Sequence, residues 1–409
     1  MKKIFLNLGY QPLANEFKKN KTKVFYNLKL LFDTKTKLVS INKKFDKKVM
    51  FNKTYPYRSS QSLTIKKHFK LLSKKLRKIK KFKNILEIGS NDGAFAVNFK
   101  KQNIVCVEPC LDVGNELKKK NFNVYTEYFD NRLSIKLRNK YKKFDLIFSA
   151  NTITHINNLK QVLKNIQNIL SDDGVFVLEE PSFLECFKKN AFDQFYNEHV
   201  YVLSAISLTN VLKNLNLKIF KIENINVHGG SLRYYITKKK NTIFKIEKNY
   251  KNQILNEKKY GLDKFSSYIK FKNKTIVIKK KLQEMFKFLK KNNCKIVGYG
   301  ASAKAVTVLN YCNLKETYID YFLDTTKNKV GKLLPGTKIM VKQYKSELMK
   351  KNTYFFLGAW NFKNEILIKE KTFIKRGGKF ISHLPSPHIF GLKKFESVKK
   401  IKIIKNKLV

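Results

Sequence analysis

The chain has 409 residues, with 86 Lys and Arg against 30 Asp and Glu, and a formal charge of +56. The length exceeds one ordinary domain, and a hydrophobic share of 43% with 33 Phe excludes a disordered or collagen-like chain. The basic excess is mostly Lys, spread along the whole chain without a basic tail. It reads as a solvated surface and not as a nucleic-acid footprint, although its field attracts anionic substrates.

The start, "MKKIFLNLGYQPLAN", has a short apolar run broken by Asn and Gln, so no signal peptide is read there. No apolar run approaches the ~20 residues of a membrane helix. A cytoplasmic protein with no membrane and no nucleic-acid partner is expected. Residues 1 to about 60 show no regular pattern. "IKKHFKLLSKKLRKIKKF" (65–82) has apolar residues at helical spacing and predicts a basic amphipathic helix. "NILEIGS", "IVCVEP", "FDLIFSAN" and "GVFVLEEP" then follow as short strands, with helical stretches such as "NNLKQVLKNIQNIL" between them. Strand alternating with helix predicts a parallel sheet. "LKIFKIENINVHGGSLRYYIT" predicts an antiparallel edge hairpin turning at Gly-Gly. Residues from about 240 to 290 predict a charged helical connector. From 295, "KIVGYGASAKAVTVLNY", "YIDYFLD", "TYFFLGAWN" and "KFISHL" restart the alternation as a second, smaller α/β unit. The five Cys, at 106, 110, 186, 294 and 312, form no CxxC pair, so buried thiols and no zinc site are expected.

Two strand exits carry chemistry. In "ILEIGSNDGAF" (85–95), Glu87 precedes a turn containing Gly89, Asn91, Asp92 and Gly93. Small residues there let a ligand approach the backbone. The next strand ends at Glu108, placed to accept the hydroxyls of a ribose. This pairing fits NAD or S-adenosylmethionine. The spacing is not GxGxxG, and an acidic turn repels pyrophosphate but suits a cationic methionine end, which favours S-adenosylmethionine. Asn151 and His155 lie just beyond the strand at 144–150, facing the same cleft. His155 either touches solvent at a helix start or lines the substrate site. The second exit, "GYGASAKA" (298–305), places Tyr299 and Lys304 beside backbone N–H groups that make an anion site. Trp360 and Asn361 in "AWNF" border the same region.

In ten tracts taken in order the chain resembles the sugar C-methyltransferases that act on nucleotide-linked keto-sugars: "LGYQPLANEF", "YPYRSSQS", "LEIGSNDGAF", "VEP", "NTITHI", "FDQFYNEHVYVLS", "VHGGSLRYY", "GYGASAKAVTVLNY", "VGKLLPGTKI" and "AWNFKNEI". The resemblance implies a class I methyltransferase doubly wound sheet (Rossmann-like) with a small amino-terminal domain and a second, smaller α/β carboxy-terminal domain. The implied division is 1–64, a degenerate zinc-binding type; 65–240, binding S-adenosylmethionine; 241–290, a helical connector; and 291–409, holding the nucleotide-sugar. Family members read Tyr-His-Glu-His where this chain has Tyr196, Asn197, Glu198 and His199. The family pattern makes His199 the catalytic base. The family's zinc-binding Cys pairs are absent here, so zinc is not carried over.

The chemistry these residues permit is enolate formation. His199 takes the proton beside a ketone, Glu198 orients it, Tyr196 donates to the enolate oxygen, and His155 assists. Tyr55, Tyr57, Ser59 and Ser60 close over the sugar, and Arg233 either holds an anionic or keto group or pairs with an acid. The alternatives are a methyltransferase on another small molecule or on nucleic acid, and a non-catalytic homologue. A monomer or homodimer is expected.

Overall fold

The computed structural model describes residues 1–43, 45, 58–349, 353–391 and 396–397. Three sheets organise them.

The first sheet was not expected from the sequence. β1 (Lys2–Pro12), β2 (Phe25–Asp33) and β3 (Val39–Ile41) pair antiparallel. β2 buries Tyr26, Leu28, Leu30 and Phe32 in turn and leaves the residues between them less covered, the period of a half-buried strand. Its fourth strand is β9 (Tyr201–Val202), which pairs with β3.

The second sheet takes β4 (Ile85–Ile88), β5 (Ile104–Val107), β6 (Asn123–Tyr125), β7 (Phe144–Ala150), β8 (Leu170–Pro181), β10 (Leu217–Ile225) and β11 (Ser231–Lys238). Their order is β10-β11-β8-β7-β4-β5-β6. The five from β8 to β6 are parallel, and β11 is antiparallel to both of its neighbours. The predicted edge hairpin is thus present. The amphipathic helix spans Leu63–Ile79 and buries Ile65, Phe69, Leu72 and Leu76 against this sheet's core. β4 sits where the strand order reverses, with β5 on one side and β7 on the other. Ligands of open α/β sheets bind at that point, outside the strand ends.

The third sheet has the order β14-β13-β12-β15-β16-β17-β18. Its parallel part is β12 (Lys295–Tyr299), β13 (Tyr321–Asp324), β14 (Met340–Gln343), β15 (Thr353–Leu357) and β16 (Lys379–Ser382). The two antiparallel strands are β17 (His388–Phe390) and β18 (Glu396–Ser397).

The helix Phe265–Lys291 is more than a tether. It buries Tyr268, Phe271, Leu282 and Phe286, and the Tyr268 ring stacks on Phe183 at 5.5 Å and meets Phe5 edge-on at 5.1 Å. One apolar core therefore joins the first sheet, this helix and the third sheet.

Candidate active site

The chain leaves β4 through Gly89, whose φ is +76°. A Cβ there would lie 2.1 Å from Thr152 Oγ1, so only glycine fits. The Asn91 N–H donates to Glu108 Oε2 at 2.8 Å, and the Cys110 N–H donates to Glu108 Oε1 at 3.0 Å. Each oxygen keeps lone pairs for a further donor. Burial nonetheless pushes the Glu108 carboxyl above its ordinary value. Glu87 is pushed up further, by burial and then by the charges of Glu108 and Asp92. Its Oε2 has no hydrogen-bond partner among the described residues. A cavity of about 620 Å³ opens here, with Glu87, Gly89, Asn91, Glu108, Asn151 and His155 in its wall. In a chain of charge +56, no Lys or Arg is among its described lining residues.

Asp92 and Gly93 stand behind this wall. Asp92 Oδ2 accepts the Ser60 hydroxyl at 2.5 Å, and Asn91 Oδ1 accepts the Ser59 N–H at 2.9 Å. Gly93 supplies a turn with φ +83°. Ser59 and Ser60, expected over the sugar, therefore clamp the glycine loop, and Ser59 lines the same cavity. Tyr55 and Tyr57 lie outside the described residues.

The tract 196–199 forms a hydrogen-bonded cluster, with Tyr196, Glu198 and His199 in the wall of a second cavity of about 750 Å³. His199 Nδ1 lies 2.6 Å from the Gln194 carbonyl oxygen. A carbonyl only accepts, so Nδ1 carries the hydrogen. Nε2 then holds the lone pair and accepts the Tyr196 hydroxyl at 2.6 Å. The His155 ring stacks on His199 with centroids 5.0 Å apart. Burial, then the charges of His155 and Lys304, hold His199 well below the usual imidazole range. The Tyr196 phenol is held well above its ordinary value by burial, then by the carboxylates of Glu198 and Asp193.

The turn that follows β1 fixes this tract. Asn15 Nδ2 donates to Glu198 Oε1 at 2.6 Å, and the Ala14 N–H donates to Asn197 Oδ1 at 2.9 Å. Asn197, where the family carries His, is therefore a buried anchor. Burial raises the Glu198 carboxyl to about 7 despite the Asn15 bond.

The second cavity continues into the third sheet along Tyr299, Gly300, Lys304, Asp324, Lys329 and Asn361. The glycine exit of β12 repeats the design of β4. Gly300 has φ +81°, and Asp324 at the end of β13 accepts the Ala301 N–H at 2.8 Å, as Glu108 accepts Asn91. The Tyr299 hydroxyl donates to Glu370 Oε1 at 2.6 Å. Both cavities share Asn151, His155 and His228.

Arg233 and Trp360 are in neither described wall. The Arg233 guanidinium is buried and paired with Glu179 at 2.5 Å and Glu223 at 2.6 Å, as a buried charge requires. Its reading as a substrate ligand gives way to that pairing. The Trp360 indole donates to Asp193 Oδ2 at 2.6 Å, and its ring lies 4.9 Å from Lys304 Nζ. The tract "HGGSLR" offers His228 beside Arg233, and the structure brings His228 into the wall of both cavities from the hairpin turn at φ +53°. Asp193 and Asn15 gave no signal in the sequence.

Parallel strands flanked by helices, with a reversed edge hairpin and a ligand cavity at the switch point, define a class I methyltransferase fold. Two family models agree. A family model described as a methyltransferase domain matches residues 58–222, and one described as a C-methyltransferase C-terminal domain matches 226–385. The chain is 25% identical over 307 residues to the C-methyltransferase NovU of Streptomyces niveus, covering 75% of this chain and 73% of that protein. Among solved structures it is similar to an S-adenosylmethionine-dependent methyltransferase from Clostridium acetobutylicum (16% identity, TM-score 0.33, 44% of this chain and 93% of that one). It is also similar to the magnesium protoporphyrin IX methyltransferase of Synechocystis (9% identity, TM-score 0.34, 42% of this chain and 83% of that one). The chain is an S-adenosylmethionine-dependent methyltransferase and a homologue of the C-methyltransferases. Among the described residues no cluster of three or more His, Cys, Asp or Glu could hold a metal ion, and no helix is long and apolar enough to cross a membrane.

Proposed function

We propose that this chain methylates the carbon beside the keto group of a nucleotide-linked deoxy-keto-sugar, with His199 as the base. The observation that carries the reading is the meeting of the two cavities at Asn151, His155 and His228. A donor in the first reaches an acceptor in the second without leaving the protein.

The first cavity suits the donor. Its unpartnered Glu87 oxygen and its lack of described lining cations favour a positively charged ligand over a phosphate. Glu108 offers its remaining lone pairs to ribose hydroxyls. S-adenosylmethionine, when bound, supplies an electrophilic methyl group. In the second cavity Gly300, Asp324 and Lys329 take the nucleotide, which leaves the sugar beside the 196–199 tract.

His199 has the right proton inventory. Nδ1–H is tied to Gln194, so Nε2 is the basic atom. A ketone oxygen entering the cavity draws the Tyr196 hydroxyl away from Nε2, which then faces the adjacent C–H. The imidazole is neutral at pH 7 because burial disfavours its charge, so it is ready to accept a proton.

The test is exchange of the sugar proton into deuterated water without methyl donor. His199→Asn keeps shape and removes basicity. Its exchange should fall by ~10² to 10⁴, the usual worth of a general base, while adenosylhomocysteine affinity holds. Exchange at the parent rate would move the base elsewhere, with His155 next.

A further inference from the structure

An enolate needs its negative charge met as it forms. The Tyr196 hydroxyl in this cavity wall is a neutral phenol that already donates to His199 Nε2 at 2.6 Å. It offers the enolate one hydrogen bond and no charge.

Among the described residues, the Lys and Arg in the cavity wall are Arg58, Lys304, Lys329 and Lys369. Arg58 is paired with Asp112 at 2.8 Å and Glu116 at 3.0 Å. Lys329 donates to the Ala301 carbonyl at 2.9 Å, and Lys369 lies over Tyr344 at the exposed rim. Lys304 differs. It is the second residue of the helix Ala303–Cys312 and only 9% exposed. Its ammonium has no hydrogen-bond or ion-pair partner among the described residues and rests over the Trp360 ring. It lines the same cavity as His199 and His228. Asp193 is fully buried, holds Trp360, and has one oxygen without a partner among the described residues. It fixes the indole over which the ammonium rests.

We infer that Lys304 is a catalytic residue whose ammonium binds the sugar's keto oxygen and stabilises the enolate. This rests on the proposed function and goes beyond it. The base then comes from the methyltransferase half of the chain and the oxyanion-binding cation from the carboxy-terminal half. In the step, the C–H bond breaks and its proton goes to His199 Nε2. Its electron pair becomes the C=C bond, and the C=O π pair moves to oxygen, where a Lys304 N–H hydrogen-bonds it. Lys304 stays protonated throughout. When the carbon takes the methyl group the C=O bond re-forms and the interaction weakens. A ligand bound more tightly in the transition state than before it raises turnover and not merely affinity. Burial lowers Lys304 to about 8, so it remains largely charged at neutral pH.

The probe is a thymidine-diphosphate 4-keto-6-deoxyhexose, followed by proton exchange in deuterated water without methyl donor. Lys304→Met should slow exchange at saturating sugar by ~10² to 10³, the loss typical of one oxyanion donor. Lys304→Arg should retain most of it. Thymidine diphosphate alone should bind the Met variant within about threefold of the parent, since no phosphate contact is lost. Exchange by Lys304→Met at the parent rate overturns the assignment. So does a drop of ~10-fold or more in thymidine-diphosphate affinity with exchange at saturation intact, which would make Lys304 a phosphate ligand. If the Met variant does not fold, Lys304→Ala with added ethylammonium reads the same step, and a failure of the amine to restore exchange counts against it. A parent that exchanges no proton from this sugar removes the proposed function and this assignment together. A working parent with an unaffected variant removes this assignment alone.

Discussion

Glu198→Gln tests the electrostatics of the catalytic tract without touching its shape. The glutamine keeps an oxygen to accept the Asn15 amide, so the anchor to the turn after β1 survives. What it removes is a charge only 4% exposed. Burial raises the Glu198 carboxyl from 4.5 to about 7. A group held above its unfolded value contributes stability that is fully present below 4.5 and is lost as pH rises through about 7. At ~1.4 kcal/mol per pH unit the loss is about 3 kcal/mol. His155 and His228, lowered to about 4 by burial, act with the opposite sign in an overlapping window, so the parent's own profile is blurred. The difference between variant and parent cancels them. Urea unfolding, followed by far-ultraviolet dichroism and the single Trp, should show Glu198→Gln gaining about 3 kcal/mol on the parent between pH 4.5 and about 8. A difference that stays flat across that range would mean the carboxylate is hydrated, and the account of the tract as a buried cluster would fall.

Glu108→Ala should weaken adenosylhomocysteine binding by ~10-fold or more in calorimetry, the scale of one lost charged hydrogen bond; unchanged affinity would take Glu108 off the ribose. Prolonged chelator treatment should leave the dichroism spectrum and melting temperature unchanged, because the zinc-binding Cys pairs are missing from the sequence. Stoichiometric zinc by elemental analysis, released together with loss of structure, would refute that.

The methyltransferase sheet was legible because its signals are local. Apolar β-branched runs end in Gly89 and Glu108, and the edge hairpin turns at Gly229 and Gly230. The first sheet was illegible for a physical reason. The outward positions of β2 are Lys29 and Asn27, but Leu31 breaks the polar series, and β1 slips register twice, which destroys its period. The site was half legible. His199, Tyr196 and Glu198 announced themselves as crowded titratable residues, and the Glu108 position follows from a strand end. Asn15 on Glu198, Asp193 under Trp360 and Glu179 on Arg233 join residues far apart in the chain, and no spacing rule reaches that distance. Arg233 shows the cost: an arginine beside a glycine turn looks like a ligand until its buried carboxylates are seen.

The pairing of β3 with β9 bears on how the chain is made. β3 ends at residue 41 and its partner begins at 201, on the far side of most of the methyltransferase sheet. A ribosome emits the first three strands long before the fourth exists, so the nascent sheet waits with one edge open. The amino-terminal segment cannot be finished as an independent unit on its way out. Its last strand is delivered by the stretch that also carries His199, so closure of the sheet and assembly of the proposed base are a single event in synthesis.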